Sequence, residues 1–168
     1  MATDEEAYKV FSDIFGPVIK DLHPKFDYRY SYKYEDLADM ETTIAQIEDE
    51  LQKVSKFKLS ARRNFSNTAF TPIMSKESKF KVERKIVEVL GELYGRYKQR
   101  SQLEEEELSW LNAQGIDVER SKIHDAAGIN DDWPMGRGVF INEQKEFVIL
   151  VNFEDHIQIV VLAEGPEL

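Results

Sequence analysis

Trp133-Pro134-Met135-Gly136-Arg137-Gly138 leads into Val139-Phe140-Ile141-Asn142. Glu146-Phe147-Val148-Ile149-Leu150-Val151-Asn152, Phe153-Glu154-Asp155-His156 and Ile157-Gln158-Ile159-Val160-Val161-Leu162 follow. Three apolar runs rich in β-branched residues alternate with short polar turns, which predicts an antiparallel meander. Asn142 to Lys145 supply one turn and Phe153 to His156 the next. The chain before Gly128 reads as helical or irregular. This is therefore the only sheet expected, with the helices packed on it in an α+β fold. The last run is apolar on both faces apart from Gln158, the pattern of a strand buried on both sides. In a sheet of three strands it would be a bare edge near the lower limit of independent stability. That predicts a partner protein covering Ile157–Leu162.

Working outward, the chain has 168 residues, 42% of them hydrophobic, enough for one modest domain or two small coupled ones. Acidic side chains number 32 against 22 basic ones, a net charge of −10, which argues against nucleic acid or an anionic membrane as the main partner. Cysteine is absent, so disulfides, thiolate zinc sites and a thiol nucleophile are excluded. The acidic start, Met1 to Glu6, lacks the apolar run of a secretory signal, and no stretch approaches the roughly 20 apolar residues of a membrane span.

Thr3 and Glu6 have the spacing of a capping box, opening a helix that carries Tyr8, Phe11 and Phe15 on one face and stops at Gly16-Pro17. Phe26, Tyr28, Tyr30, Tyr32 and Tyr34 recur at period two, as an extended segment over the helices or an aromatic strip for a partner. Met40, Ile44, Ile47, Leu51 and Val54 form one helical seam, either core or a coiled-coil face for another chain. A further helix runs through Val82, Ile86, Val89 or Leu90, and Leu93, ending near Gly95. Ser101 and Glu104 form a second capping box, with Gly115 as the residue just past that helix. Glu104 to Glu107 complement the first-turn dipole. Four consecutive carboxylates do not share a helix face, so no metal is expected there. His23 and His124 have no ligand spacing. His156 is expected to bond nearby backbone.

The wording of the Trp133–His156 stretch resembles the phosphagen kinases, the creatine and arginine kinase family. Two earlier segments resemble the same family in the same order. One is Glu5 to Phe11 with Ile14-Phe15, Pro17-Val18-Ile19, Asp21 and His23. The other is Leu59-Ser60-Ala61-Arg62, similar to the family's strand and phosphate-binding loop. The fold implied is a truncated phosphagen kinase core. The resemblance implies that Glu154 is the guanidine-binding carboxylate and Arg62 the first arginine of a Ser-x-Arg-x-Arg-x-x-Arg phosphate clamp. The pattern then departs from the family. Asn64 and Asn67 stand where the other two clamp arginines belong, and Arg63 is out of register. Phe153 replaces a Glu, Gln158 a phosphate-binding Arg, and Ile141 a His near adenine. An amide offers no charge-assisted bidentate contact to phosphate. The family's remaining arginines, reactive Cys and substrate loop belong to a half expected beyond Leu168.

The resulting expectation is a pseudoenzyme. A helical segment spans residues 1–58 and a truncated catalytic-domain portion spans 59–168. Glu154 and Arg62 are vestigial site residues, and no cofactor and no metal are expected. The role expected is that of a cytoplasmic structural subunit, with protein partners covering Ile157–Leu162 and the Met40–Val54 helix. By family analogy alone, an axoneme or a mitochondrial complex is the host. The alternative is an ATP:guanidino phosphotransferase, minimal or completed by another chain.

Overall fold

The computed structural model describes residues 2–24 and 55–164. The Phe26–Tyr34 aromatics and the Met40–Val54 seam lie outside these residues. The chain divides into two compact units: Met1–Asp4 with Lys58–Leu162, and Glu5–Phe57 with Ala163–Leu168.

The larger unit is built on a five-stranded sheet of order β1-β5-β4-β3-β2. Its strands are β1 (Lys56–Arg63), β2 (Gly95–Gln99), β3 (Gly138–Asn142), β4 (Phe147–Val151) and β5 (Ile157–Glu164). The expected meander is present as β3, β4 and β5, antiparallel throughout, with Phe140 opposite Ile149 and Ile149 opposite Ile159. The Asn142–Lys145 turn closes through the Lys145 N–H donating to the Asn142 carbonyl at 3.0 Å. The Asn142 side-chain oxygen also takes the N–H groups of Glu146 and Phe147.

Two strands correct the sequence reading. β2 pairs antiparallel with β3 along Gly95 to Gln99. It holds no β-branched residue and two cations, which suits a charged edge and hides it from a search for apolar runs. β1 lies beside β5, and is almost wholly exposed. The family resemblance anticipates this strand at Leu59–Arg62, whereas its Lys- and Arg-rich composition does not. β1 runs antiparallel to β5, since Ser60 meets the Gln158 side chain while Asn64 meets the His156 N–H. The bare edge expected at Ile157–Leu162 is therefore filled by the chain itself.

Both faces of the sheet are covered at its inner strands. Val139, Val148, Leu150 and Val160 point into one cluster with Leu111, Ile116 and Val118. Their alternates Phe140, Ile149 and Val151 point into the other with Met74, Val82, Ile86 and Leu90. This is the period-two alternation of strands between two layers. The second layer is a helix of Lys76–Leu90, capped where the Ser75 hydroxyl accepts from the Ser78 N–H at 3.2 Å. Leu90 faces inward and Val89 is 64% exposed, which decides the ambiguous position. The helix stops at Leu90 rather than near Gly95, because Gly95 belongs to β2. A β-carbon there would strike the Phe140 ring and the Ile141 carbonyl.

The first layer contains a helix of Glu105–Ala113. Its cap is Glu104, not Ser101. The Glu107 carboxylate reaches back to the Glu104 N–H at 2.9 Å, and Ser101 lies in a preceding single 3₁₀ turn, Arg100–Gln102. Gly115 follows the helix with φ +67°, and Ile116 donates back to the Leu111 carbonyl, the expected C-terminal motif. A short helix, Lys122–Ala126, completes the larger unit.

In the smaller unit, helices α1 (Ala7–Val10) and α2 (Ser12–Leu22) follow one another, and Tyr8 and Phe15 meet with ring centroids 5.0 Å apart. α2 continues through Gly16 and Pro17 instead of stopping there. Pro17 removes its own donor and crowds the carbonyl of Asp13 four residues earlier, yet the helix runs on to Leu22. Thr3 does not cap α1. Its carbonyl accepts from the Phe70 N–H at 2.8 Å, and Glu6 is the cap residue with no side-chain bond.

Candidate functional site at the Glu154 turn

Between β4 and β5 the chain turns through Asn152, which adopts φ +57°, a conformation asparagine tolerates better than most residues. The Asn152 side chain is buried, and its amide donates to the carbonyls of Lys79 at 2.9 Å and Gly136 at 2.7 Å. The turn that presents Glu154 is thus pinned to a helix on one side and to the loop before β3 on the other.

Glu154 faces β1. Its carboxylate is ion-paired with Arg62 and lies 3.3 Å from His124 Nε2. Asp155 stands 3.8 Å from the same Arg62 guanidinium. The two residues named from the sequence are therefore brought together by the fold. The Glu154 backbone carbonyl accepts from the Thr71 hydroxyl. Lys58, Ser60 and Arg62 alternate along β1 and line one side of a cavity of about 170 Å³, with Glu154 and Gln158 beside them. Lys58 is spent on backbone, donating to the Gly115 carbonyl at 2.8 Å.

Two of the positions that depart from the family pattern, Asn64 and Gln158, have internal hydrogen-bond partners. Asn64 donates to Asp155 at 2.6 Å and accepts from the His156 N–H at 2.9 Å. Gln158 donates to the Ser60 hydroxyl at 2.9 Å. Asn67 holds φ +53° in the turn after β1. Arg63 donates to its neighbour's carbonyl and does not line the cavity. Ile141 is not brought into this site. It lines a separate groove with Lys98, Glu107 and Trp110. His156 is fully buried and bonds backbone, though not in its own turn. Nδ1 accepts from the Phe65 N–H at 2.9 Å and Nε2 meets the Ala69 carbonyl at 2.9 Å. Burial lowers its proton affinity below the usual histidine value.

Sequence reasoning missed His124, Lys58 and Thr71 as neighbours of this turn. Only the period-two spacing of Lys58 with Ser60 and Arg62 could have signalled one of them. Among the described residues no group of three or more His, Asp or Glu could hold a metal ion, and no helix is long and apolar enough to cross a membrane.

Chemically, the site is a carboxylate held between an arginine and a histidine. Arg62 and Glu154 are both partly exposed, so their pair contributes of order 0–1 kcal/mol to stability. Its larger consequence is local: two carboxylates offset the one guanidinium, so an anion approaching Arg62 meets repulsion as well as attraction.

Residues 81–168 match the ATP:guanido phosphotransferase C-terminal catalytic domain, and the chain belongs to that family. An arginine kinase of Liolophura japonica is 30% identical over 99% of this chain and 49% of its own length. An arginine kinase of Anthopleura japonica is 28% identical over 99% of this chain and 24% of its own. Among solved structures, the duplicated taurocyamine kinase of Schistosoma mansoni with bound transition state analog components superposes with a TM-score of 0.79 at 28% identity. That match covers 98% of this chain and 24% of the other. A lombricine kinase superposes with a TM-score of 0.77 at 25% identity, covering 98% of this chain and 46% of that one. The chain thus spans from about a quarter to about half the length of the relatives it matches.

Proposed function

We propose that the chain is a catalytically inactive phosphagen-kinase-like protein acting as an accessory subunit of a larger assembly, axonemal or mitochondrial. The observation that carries this reading is the occupancy of the Glu154 site. Arg62 is engaged by Glu154 and Asp155, Asn64 by Asp155 and His156, and Gln158 by Ser60. Phosphoryl transfer needs several free cations clamping the phosphates in a closed site, since positioning and charge stabilisation supply nearly all of the catalysis. Two clamp positions here are amides, and a third phosphate-contact position is Gln158. Each lost donor typically removes a hundredfold or more in rate. The contact with the host would fall at the outer edge of β1, the end strand of the sheet, where Leu59 is 63% exposed.

A coupled assay with ATP and arginine, creatine or taurocyamine tests the reading, and the expected turnover is background. The same Arg62 environment predicts ATP binding weaker than about 1 mM by calorimetric titration. Turnover above background would favour the alternative, an ATP:guanidino phosphotransferase, whose support is the kinase activity named in its relatives.

A further inference from the structure

We propose that His156 is a proton-sensitive latch: the neutral ring holds residues 65–69 against the 152–156 turn, and protonation releases them. The imidazole is bonded to both ends of one short loop. The Phe65 N–H donates to Nδ1 and the Ala69 carbonyl lies 2.9 Å from Nε2. Nδ1 takes a backbone N–H, so it carries no hydrogen of its own. The neutral ring must then hold its proton on Nε2 and donate it to Ala69. No other tautomer satisfies both contacts, and the doubly protonated ring satisfies only one. A proton on Nδ1 would face the Phe65 N–H inside a buried site, turning a hydrogen bond into a repulsion.

The groups around the ring do not prevent this. Phe65 stacks on it with centroids 6.0 Å apart, and Phe70 meets it edge-on at 6.4 Å. From its own turn the ring feels the Asp155 carboxylate, which like that of Glu154 lies within 4.0 Å of the Arg62 guanidinium of β1. From the Lys76–Leu90 helix, Lys85 places its ammonium 5.6 Å from the Phe65 ring centroid. Asp155 and the Ala69 carbonyl favour the charged ring, and burial outweighs them. The folded chain therefore binds this proton less readily than an open loop does. The bond's contribution is complete above the ordinary histidine range and is lost as pH falls below about 6.5. Protonation also loosens the grip on Asn64, which shares the turn through the His156 N–H. The latch operates whether or not the chain turns over nucleotide.

The test is amide exchange of the ¹⁵N-labelled chain between pH 7.5 and 5.0, corrected for the intrinsic rate at each pH. Phe65 protection is expected to fall about tenfold per pH unit below about pH 6.5. The His156 ring-nitrogen shifts should titrate below that onset, at the pH where the fall in protection ends. That comparison needs no variant. In His156→Gln the side-chain amide offers an acceptor oxygen and a donor NH₂ group with no proton to gain, so Phe65 protection should stay flat. His124→Gln should leave the steep response in place. Flat protection in the unmodified chain, a ring that titrates at or above about pH 6.5, or a steep response surviving in His156→Gln would each overturn the latch.

Discussion

At the scale of single residues, the position most open to misreading is Asn64. Set against the family pattern it registers as an absent arginine. In the fold it is a two-sided clasp, giving a hydrogen bond to the Asp155 carboxylate and taking one from the His156 backbone. Asn64→Ala would leave a backbone N–H without its partner and remove a charge-assisted bond. The expected loss is about 2 kcal/mol, read as a lower urea midpoint at unchanged slope. A loss below about 0.5 kcal/mol would mean that water replaces the clasp. The sequence named Arg62 and Glu154 because the family's motif marks both. It could not name His124 or Thr71, whose places beside Glu154 depend on how separate loops fold back rather than on any local spacing.

At the scale of elements, apolar periodicity carried the reading where burial is strong and failed where it is weak. β3, β4 and β5 are legible because they are β-branched and buried or half-buried. β2 is not, because Gly95-Arg96-Tyr97-Lys98-Gln99 is an edge strand that gains its place from pairing with β3. Helix ends were misplaced for a related reason. Thr3 and Ser101 both fit a capping pattern, but a cap is decided by the backbone angle at the position before the first turn, which spacing alone does not fix. The Lys76–Leu90 helix gives a direct test of facing. Leu90 is 5% exposed and Val89 64%. Leu90→Ala should cost about 2–4 kcal/mol in chemical denaturation and Val89→Ala less than about 0.5 kcal/mol. Equal costs would place the helix in another rotation.

At the scale of the whole molecule, the topology changes what a surface mutation can report. Val160 lies in the middle of Ile157–Leu162, the run that the sequence pattern leaves as a bare edge. It is 1% exposed and sits in the sheet's core. Val160→Lys would bury an unpaired ammonium, and the expected outcome is loss of the folded circular-dichroism spectrum. Leu59 on β1 is the informative position. Leu59→Lys should fold with an unchanged melting curve and be lost from the native complex on co-purification. Retention in that complex would exclude the β1 edge as the contact.

The two apolar clusters share their strands. Phe140 lies between Val139 and Ile141, and Ile149 between Val148 and Leu150, with neighbours along the chain serving opposite layers. Neither layer can melt while the other keeps its order, because pulling one side chain of a strand out of register moves the next. The larger unit therefore has no half-unfolded way station. Its heat-capacity trace should be one peak whose van't Hoff and calorimetric enthalpies agree.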